Sequence, residues 1–250
     1  MQHFFGRRYD TQDLRPKTTK LRQTDACRLY DGSTNTPDNV YVGGTESNYD
    51  YNFKHSAGFT NTSRDQSGQT VYVTDGTGID GVVRAASALY GRSASGNTLV
   101  IDLGGKTRAE TKLSLTGVAD VKTYDIEDRH TFSSIAAASG EWGGGNLENN
   151  ALRIENSLVE AGSIYAAYAS SGHNKNIDTT VSGNTLTITN ATLGATVSQH
   201  KDLGRLAPRI YAAHIQDTFP LSGTKDANYV TYAKNNHVKL DRVEGEFEVI

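Results

Sequence analysis

The hexapeptide GNTLTI at residues 183–188 has a near copy, GNTLVI, at residues 96–101. A catalytic motif is needed once, whereas a phrase that returns marks a structural unit that is copied and stacked. Three further stretches fit the same form: GQTVYV at 68–73, NNALRI at 149–154 and NNHVKL at 235–240. Each has Gly or Asn, then Asn or Gln, then a free position, then apolar, free, apolar. The first two positions are turn formers. The next four alternate as a strand with one buried face does. This pattern predicts that Leu99, Ile101, Leu152, Ile154, Leu186 and Ile188 face inward.

A second phrase alternates with the first. IYAA stands at 164–167 and again at 210–213, with IAAA at 135–138, VRAA at 83–86 and the looser VYVGG at 40–44. Each is a β-branched residue followed by a pair of tiny ones. Along the chain the two phrases take turns, five of each, at 40, 68, 83, 96, 135, 149, 164, 183, 210 and 235. One short strand with one apolar face cannot bury that face alone, and stacking like units gives a continuous core. The pattern therefore predicts a solenoid, with the two phrases in different sheets. Asn and Gly at equivalent corners take left-handed conformations, stacked Asn side chains hydrogen-bond along the axis, and insertions leave from corners. An antiparallel β-sandwich or jelly roll explains the alternation within a strand equally well, but not the turn-taking.

Composition agrees with an all-β chain. Of 250 residues, 36% are hydrophobic, 21% charged, and Gly is 25 against 4 Pro. Long helical runs are missing. Net charge is −3 overall, split into +4 over residues 1–30 and −7 over 31–250. The chain as a whole makes no case for nucleic-acid binding. Residues 1–30 carry neither phrase and are read as a basic N-terminal arm or cap, and residues 31–250 as the repeat domain. Cys27 is the only cysteine, which excludes an internal disulfide and a Cys-rich zinc site. No stretch is long and apolar enough for a membrane-spanning helix, and MQHFFGRRYD lacks the apolar region of a signal peptide.

Taken together, SIYAAYASSG (163–172) and SGNTLTITNATLGATV (182–197) resemble the repeats in passenger domains of bacterial autotransporter adhesins. In those repeats, V-Y-G-G-Y-like segments alternate with G-N-T-V-T-I-like ones. The likeness covers roughly residues 40–240, with Ala in place of Gly in most of the IYAA phrases. It implies a right-handed parallel β-helix with inserted loops, displayed on the outer surface and adhesive. It also implies a piece of a larger surface protein, because neither a signal peptide nor a translocator barrel accompanies the repeats.

Chemistry-bearing stretches are few. DGTGIDGVV at 75–83 nearly matches the calcium-binding β-roll nonapeptide, but such sites need tandem copies, and a tight turn explains its glycines. Asp125, Glu127, Asp128 and His130 contain the residue types of acid/base or metal chemistry, with Arg129 beside them to neutralise charge in a solvated loop. Trp142, the only Trp, stands among glycines in GEWGGGN. It is the candidate binding residue, suited to stacking on a sugar or a partner surface. NTS at 61–63 and NAT at 190–192 fit the glycosylation sequon. The seven histidines form no H-x-x-x-H or H-E-x-x-H spacing, and no nucleophile elbow, P-loop or Rossmann fingerprint is present.

These readings lead to a non-catalytic repeat module at the cell surface. It needs no cofactor and no metal, and it binds a host cell surface, a glycan or a protein ligand through inserted loops. The alternatives are a β-helix polysaccharide lyase or hydrolase, which requires carboxylates converging on one face, and a phage tail-spike or fibre segment.

Overall fold

The computed structural model describes residues 27–30, 60–61, 65–74, 83–89, 92–105, 113–114, 134–141, 145–170, 179–197, 205–216 and 231–250. These residues are all-β, and the strands lie in three sheets. The first sheet holds β1 (Cys27–Tyr30), β4 (Thr70–Val73), β7 (Thr98–Asp102), β8 (Leu113–Ser114), β11 (Ala151–Glu155), β12 (Leu158–Ala161), β15 (Thr185–Val197) and β19 (His237–Gly245), with β16 (Arg205–Leu206) on the edge of β15. The second holds β3 (Gln66–Ser67), β6 (Ala94–Ser95), β10 (Leu147–Glu148), β14 (Thr179–Ser182) and β18 (Thr231–Lys234). The third holds β2 (Thr60–Asn61), β5 (Val83–Leu89), β9 (Ser134–Glu141), β13 (Ser163–Ser170), β17 (Arg209–Gln216) and β20 (Glu248–Val249).

The chain visits the sheets in fixed rotation: second, first, third, then second again. Each rotation from β3 onward lays one strand or strand pair on each sheet, and its strands pair in parallel with those of the rotation before. The two sequence phrases fall in different sheets, as expected: GNTLTI and its kin in the first, IYAA and its kin in the third. The pairing rules out the antiparallel sandwich. The one antiparallel contact among the described residues joins Thr196–Val197 of β15 to Arg205–Leu206 of β16. The fold is thus partly solenoid-like.

Register puts like on like. Val71, Leu99, Leu152, Leu186 and Val238 form one file, and Val73, Ile101, Ile154, Ile188 and Leu240 the next. The six residues expected inward from sequence are all buried in one core cluster. A one-residue slip would turn each file to the other face, so burial of this side fixes the register. The free positions between them vary. Arg153 and Lys239 are exposed, whereas Tyr72 and Val100 are buried although they alternate with the inward files.

Two findings depart from the sequence reading. The second sheet was not anticipated. Its strands are two to four residues long, too short for alternation to be read. In addition, Cys27–Tyr30 pairs in parallel with β4, so pairing begins inside the segment read as a basic arm. CRLY is a short run that fits an open strand edge. Residues 1–26 and the VYVGG phrase at 40–44 lie outside the described residues.

The corner from the second sheet to the first is two residues long in every rotation: 68–69, 96–97, 149–150, 183–184 and 235–236. The first residue of each is left-handed: Gly68 (φ 65°), Gly96 (φ 64°), Asn149 (φ 56°), Gly183 (φ 68°) and Asn235 (φ 55°). That conformation explains why only Gly or Asn occurs there. The glycines are not equivalent in space, however. A Cβ at Gly96 would meet nothing within 4 Å, whereas one at Gly183 would collide with Oδ1 of Asn149 in the layer before. Gly96→Asn is therefore expected to leave stability within about 0.5 kcal/mol in urea unfolding. Gly183→Ala should cost more than Gly96→Ala, which carries only the left-handed penalty of about 1–2 kcal/mol. Equal losses would contradict the packing at this corner.

Candidate functional site

The second residue of each corner carries the most connected polar side chains among the described residues. Asn97, Asn150 and Asn184 are completely buried. The backbone N–H of Asn97 donates to Oδ1 of Asn150 at 3.0 Å, that of Asn150 to Oδ1 of Asn184 at 3.0 Å, and that of Asn184 to Oδ1 of Asn236 at 3.1 Å. Each Nδ2 also donates to the next Oδ1, at 2.8, 2.9 and 2.9 Å. The second Nδ2 hydrogen goes to a backbone carbonyl of the second sheet: Gln66 for Asn97, Ala94 for Asn150, Leu147 for Asn184 and Val181 for Asn236. Asn150 and Asn184 thus use both donors and accept twice at Oδ1. Gln69 stands at the same position in the first such corner. Its backbone N–H donates to Asn97 Oδ1 at 2.9 Å, but its longer side chain leaves Oε1 buried without a partner. The sequence reading had assigned these positions to turns and stacked Asn; their complete burial was not foreseen.

A second left-handed file runs through Asn156 (φ 46°), Asn190 (φ 50°) and Arg242 (φ 52°). The Asn190 amide donates to Oδ1 of Asn156 at 2.8 Å. The NAT sequon at 190–192 is thereby explained as a stacked corner.

The third sheet places the aromatic residues. In β13, Ile164 and Ala166 enter the main core, and Ala167 and Ala169 enter a second cluster with Leu147 and Val181. Two consecutive alanines thus face inward, to two different clusters. The break in alternation leaves Tyr165 and Tyr168 on the opposite face together, and only a tiny pair fits such a bend. In the next rotation Tyr211 pairs with Tyr165, and His214 with Tyr168. The ring centroids of Tyr165 and Tyr211 lie 5.1 Å apart at 22°, and those of Tyr168 and His214 lie 5.7 Å apart at 8°. Both arrangements are stacked contacts. In earlier rotations the same files carry Ala136 and Ser139, then Arg84 and Ser87. The hydroxyl groups of Ser139 and Ser87 share a hydrogen bond at 3.0 Å.

This aromatic face is closed. Tyr165 is only 2% exposed, and Tyr168 and Tyr211 are buried as well. Burial pushes the Tyr165 phenol well above its ordinary range, although the cations of Arg84 and Arg209 pull the other way. A neutral, enclosed phenol serves here as a packing group.

The candidates read from sequence lie outside the described residues. Trp142 lies outside the described residues, in sequence between Glu141 at the end of β9 and Gly145. Asp125, Glu127, Asp128 and His130 also lie outside them, as does the calcium-like stretch up to Asp80 and Gly81, with β5 beginning at Val83. Among the described residues, no group of three or more His, Cys, Asp or Glu could hold a metal ion, and no helix is long and apolar enough to cross a membrane. No family model, no curated protein and no solved structure matches the chain.

The raised Tyr165 phenol gives a pH dependence with a definite sign. Above about pH 10 the unfolded chain ionises at this residue while the folded one resists. Stability is therefore unaffected below that pH and falls as pH rises beyond it. Tyr165→Phe should flatten the drop in melting temperature between about pH 9.5 and 11.5, while the neutral-pH value changes little. An identical alkaline drop in the variant would mean that the phenol is not enclosed.

Proposed function

We propose that this chain is a right-handed parallel β-helix acting as a non-catalytic binding module at a cell surface, as part of a larger protein. The observation that carries the reading is the unequal length of the corners. The corner from the second sheet to the first is two residues in every rotation, whereas the other two corners differ in length from one rotation to the next. First to third, the connection runs from the single residue Gly162 between β12 and β13 to residues 31–59 between β1 and β2. Third to second, it runs from residues 90–93 between β5 and β6 to 217–230 between β17 and β18. A scaffold with one fixed corner and two permissive ones suits a protein whose repeated strands supply the core and whose insertions supply recognition.

Register adds to this. Leu89 pairs with Glu141, and Ser170 with Gln216. The segments that follow β5, β9, β13 and β17 thus leave from stacked positions along one edge of the third sheet. Trp142 directly follows Glu141 in this series. In this reading it is a contact residue for a glycan or a protein ligand on a host cell. The likeness of the phrases to autotransporter passenger repeats favours the same class.

Trp142→Ala tests the proposal. The expected result is a melting temperature within about 2 °C of the parent, since a surface change costs under about 0.5 kcal/mol. Attachment to a glycan array or cell layer should weaken about tenfold or more. A large loss of stability would make Trp142 a packing residue. Cleavage of a polysaccharide, abolished by Asp125→Asn or Glu127→Gln, would replace the binding module by an enzyme.

A further inference from the structure

The strands β3, β6 and β10 of the second sheet are two residues long, and strands that short are not stable alone. The asparagine file holds each of them at its far end. A second file of side chains holds them at the near end, from outside. Asp65, Ser93 and Asn146 immediately precede β3, β6 and β10, and register puts Thr180 of β14 in line with them. The backbone N–H of Ser93 donates to Oδ1 of Asp65 at 2.8 Å, that of Asn146 to Oγ of Ser93 at 3.2 Å, and that of Thr180 to Oδ1 of Asn146 at 3.2 Å. The carbonyls of Ser93 and Asn146 accept from Gln66 and Ala94, both at 2.8 Å. The polarity is the reverse of the inner file. There an amide donates to a side chain of the layer after it, and here to a side chain of the layer before.

These residues stand where the chain re-enters the stack after its third-sheet strands. Residues 62–65, 90–93 and 142–146 make that connection for β3, β6 and β10, and residues 171–178 lead into β14. The connections differ in length, so each needs a local device to end in place. A side-chain oxygen of the layer before is that device. Asp, Ser and Asn all serve because each offers an acceptor at short reach. Asp65 and Asn146 are exposed and Ser93 is half-buried, so the file lies at the surface, apart from the apolar core.

We propose that Ser93 is the positioning residue for Trp142. Ser93 fixes the N–H of Asn146, the residue that closes the 142–146 segment, although it lies 53 positions away in sequence. Asn146 does the same for residues 171–178 through Thr180. Adjacent insertions are thus tied end to end, and a ligand held at Trp142 meets a surface set by the layer before. The effect on binding rests on Trp142 being a contact residue, as proposed above. The hydrogen-bond file itself does not.

The full chain is compared with Ser93→Ala, which removes the acceptor, and with Ser93→Asp, which restores one as at Asp65. Two readouts need no ligand. In Ser93→Ala the Asn146 amide should exchange about fivefold to tenfold faster, with Leu152 unchanged. Trp142 is the only tryptophan, and its fluorescence anisotropy should fall while acrylamide quenching rises about twofold. The melting temperature should stay within about 4 °C of the parent, and attachment to a glycan array or cell layer should weaken about threefold or more. Ser93→Asp should return every readout to the parent value. Asn146→Ala should speed exchange at Thr180 and leave the Trp142 signal as it was. Unchanged Asn146 exchange or unchanged Trp142 fluorescence in Ser93→Ala would overturn the proposal. So would failure of Ser93→Asp to restore them, or a melting temperature lowered by about 8 °C or more, which would make Ser93 a residue of the fold alone. If Trp142→Ala leaves attachment unchanged, the binding reading fails, while exchange and fluorescence still decide the role of Ser93.

Discussion

The two-residue corner between the second and first sheets constrains everything else. A chain that turns between sheets interrupts its ladder of backbone hydrogen bonds, and it does so here inside the core. A buried N–H or C=O without a partner costs about 1–3 kcal/mol. The buried Asn97, Asn150 and Asn184, with half-buried Asn236 after them, meet that demand by giving the corner N–H groups of Asn97, Asn150 and Asn184 a side-chain carbonyl in the next layer. Asparagine suits the position because it offers an acceptor and two donors at the right reach. Gln69, one methylene longer, leaves its Oε1 unpartnered. Low dielectric strengthens such a network when it is complete and penalises it when it is not.

Because the asparagine bonds across layers, its place in the chain is locked to the strands on either side. The corner cannot lengthen without moving the amide off its file, and insertions stand elsewhere: at the other two corners and within the first sheet, where residues 103–112 separate β7 from β8 but only 156–157 separate β11 from β12. The apolar files follow from the same register. Once the corner is set, Leu and Ile two and four residues later fall over their counterparts. The third sheet solves a different problem: it touches two core clusters, and consecutive alanines let one strand face both. Tyr165 and Tyr168 then share the opposite face. The aromatic cluster is thus a consequence of the bend.

How much of this was legible varies from element to element. GNTLTI and IYAA were readable because each spans enough residues to show alternation or a tiny pair, and because each returns. The inward placement of Leu186 and Ile188, and the left-handed corners at Gly183 and Asn235, followed from residue type alone. The second sheet was not legible. β6 is Ala94–Ser95 and β10 is Leu147–Glu148, and two residues carry no period. In retrospect, one small or apolar residue two places before four of the five corners (Ala94, Leu147, Val181, Ala233) was the signal, with Gln66 in that place before the first. Site chemistry was least legible. Trp142 and the carboxylates at 125–128 stand in insertions, where no repeat ties sequence to position. The tyrosines that do come together sit in the repeat, where their number fits a polar binding surface and stacked aromatics in a solenoid equally well.

The central claim is that the asparagine file completes the hydrogen bonding of an otherwise broken corner. Native-state hydrogen exchange at the corner amides measures this directly. The backbone N–H groups of Asn97, Asn150 and Asn184 should exchange as slowly as those of Leu152 and Leu186 in the adjoining strands. Rapid exchange at Asn150 and Asn184, with Leu152 and Leu186 still protected, would show that the corners are open and that the stack is held without the file.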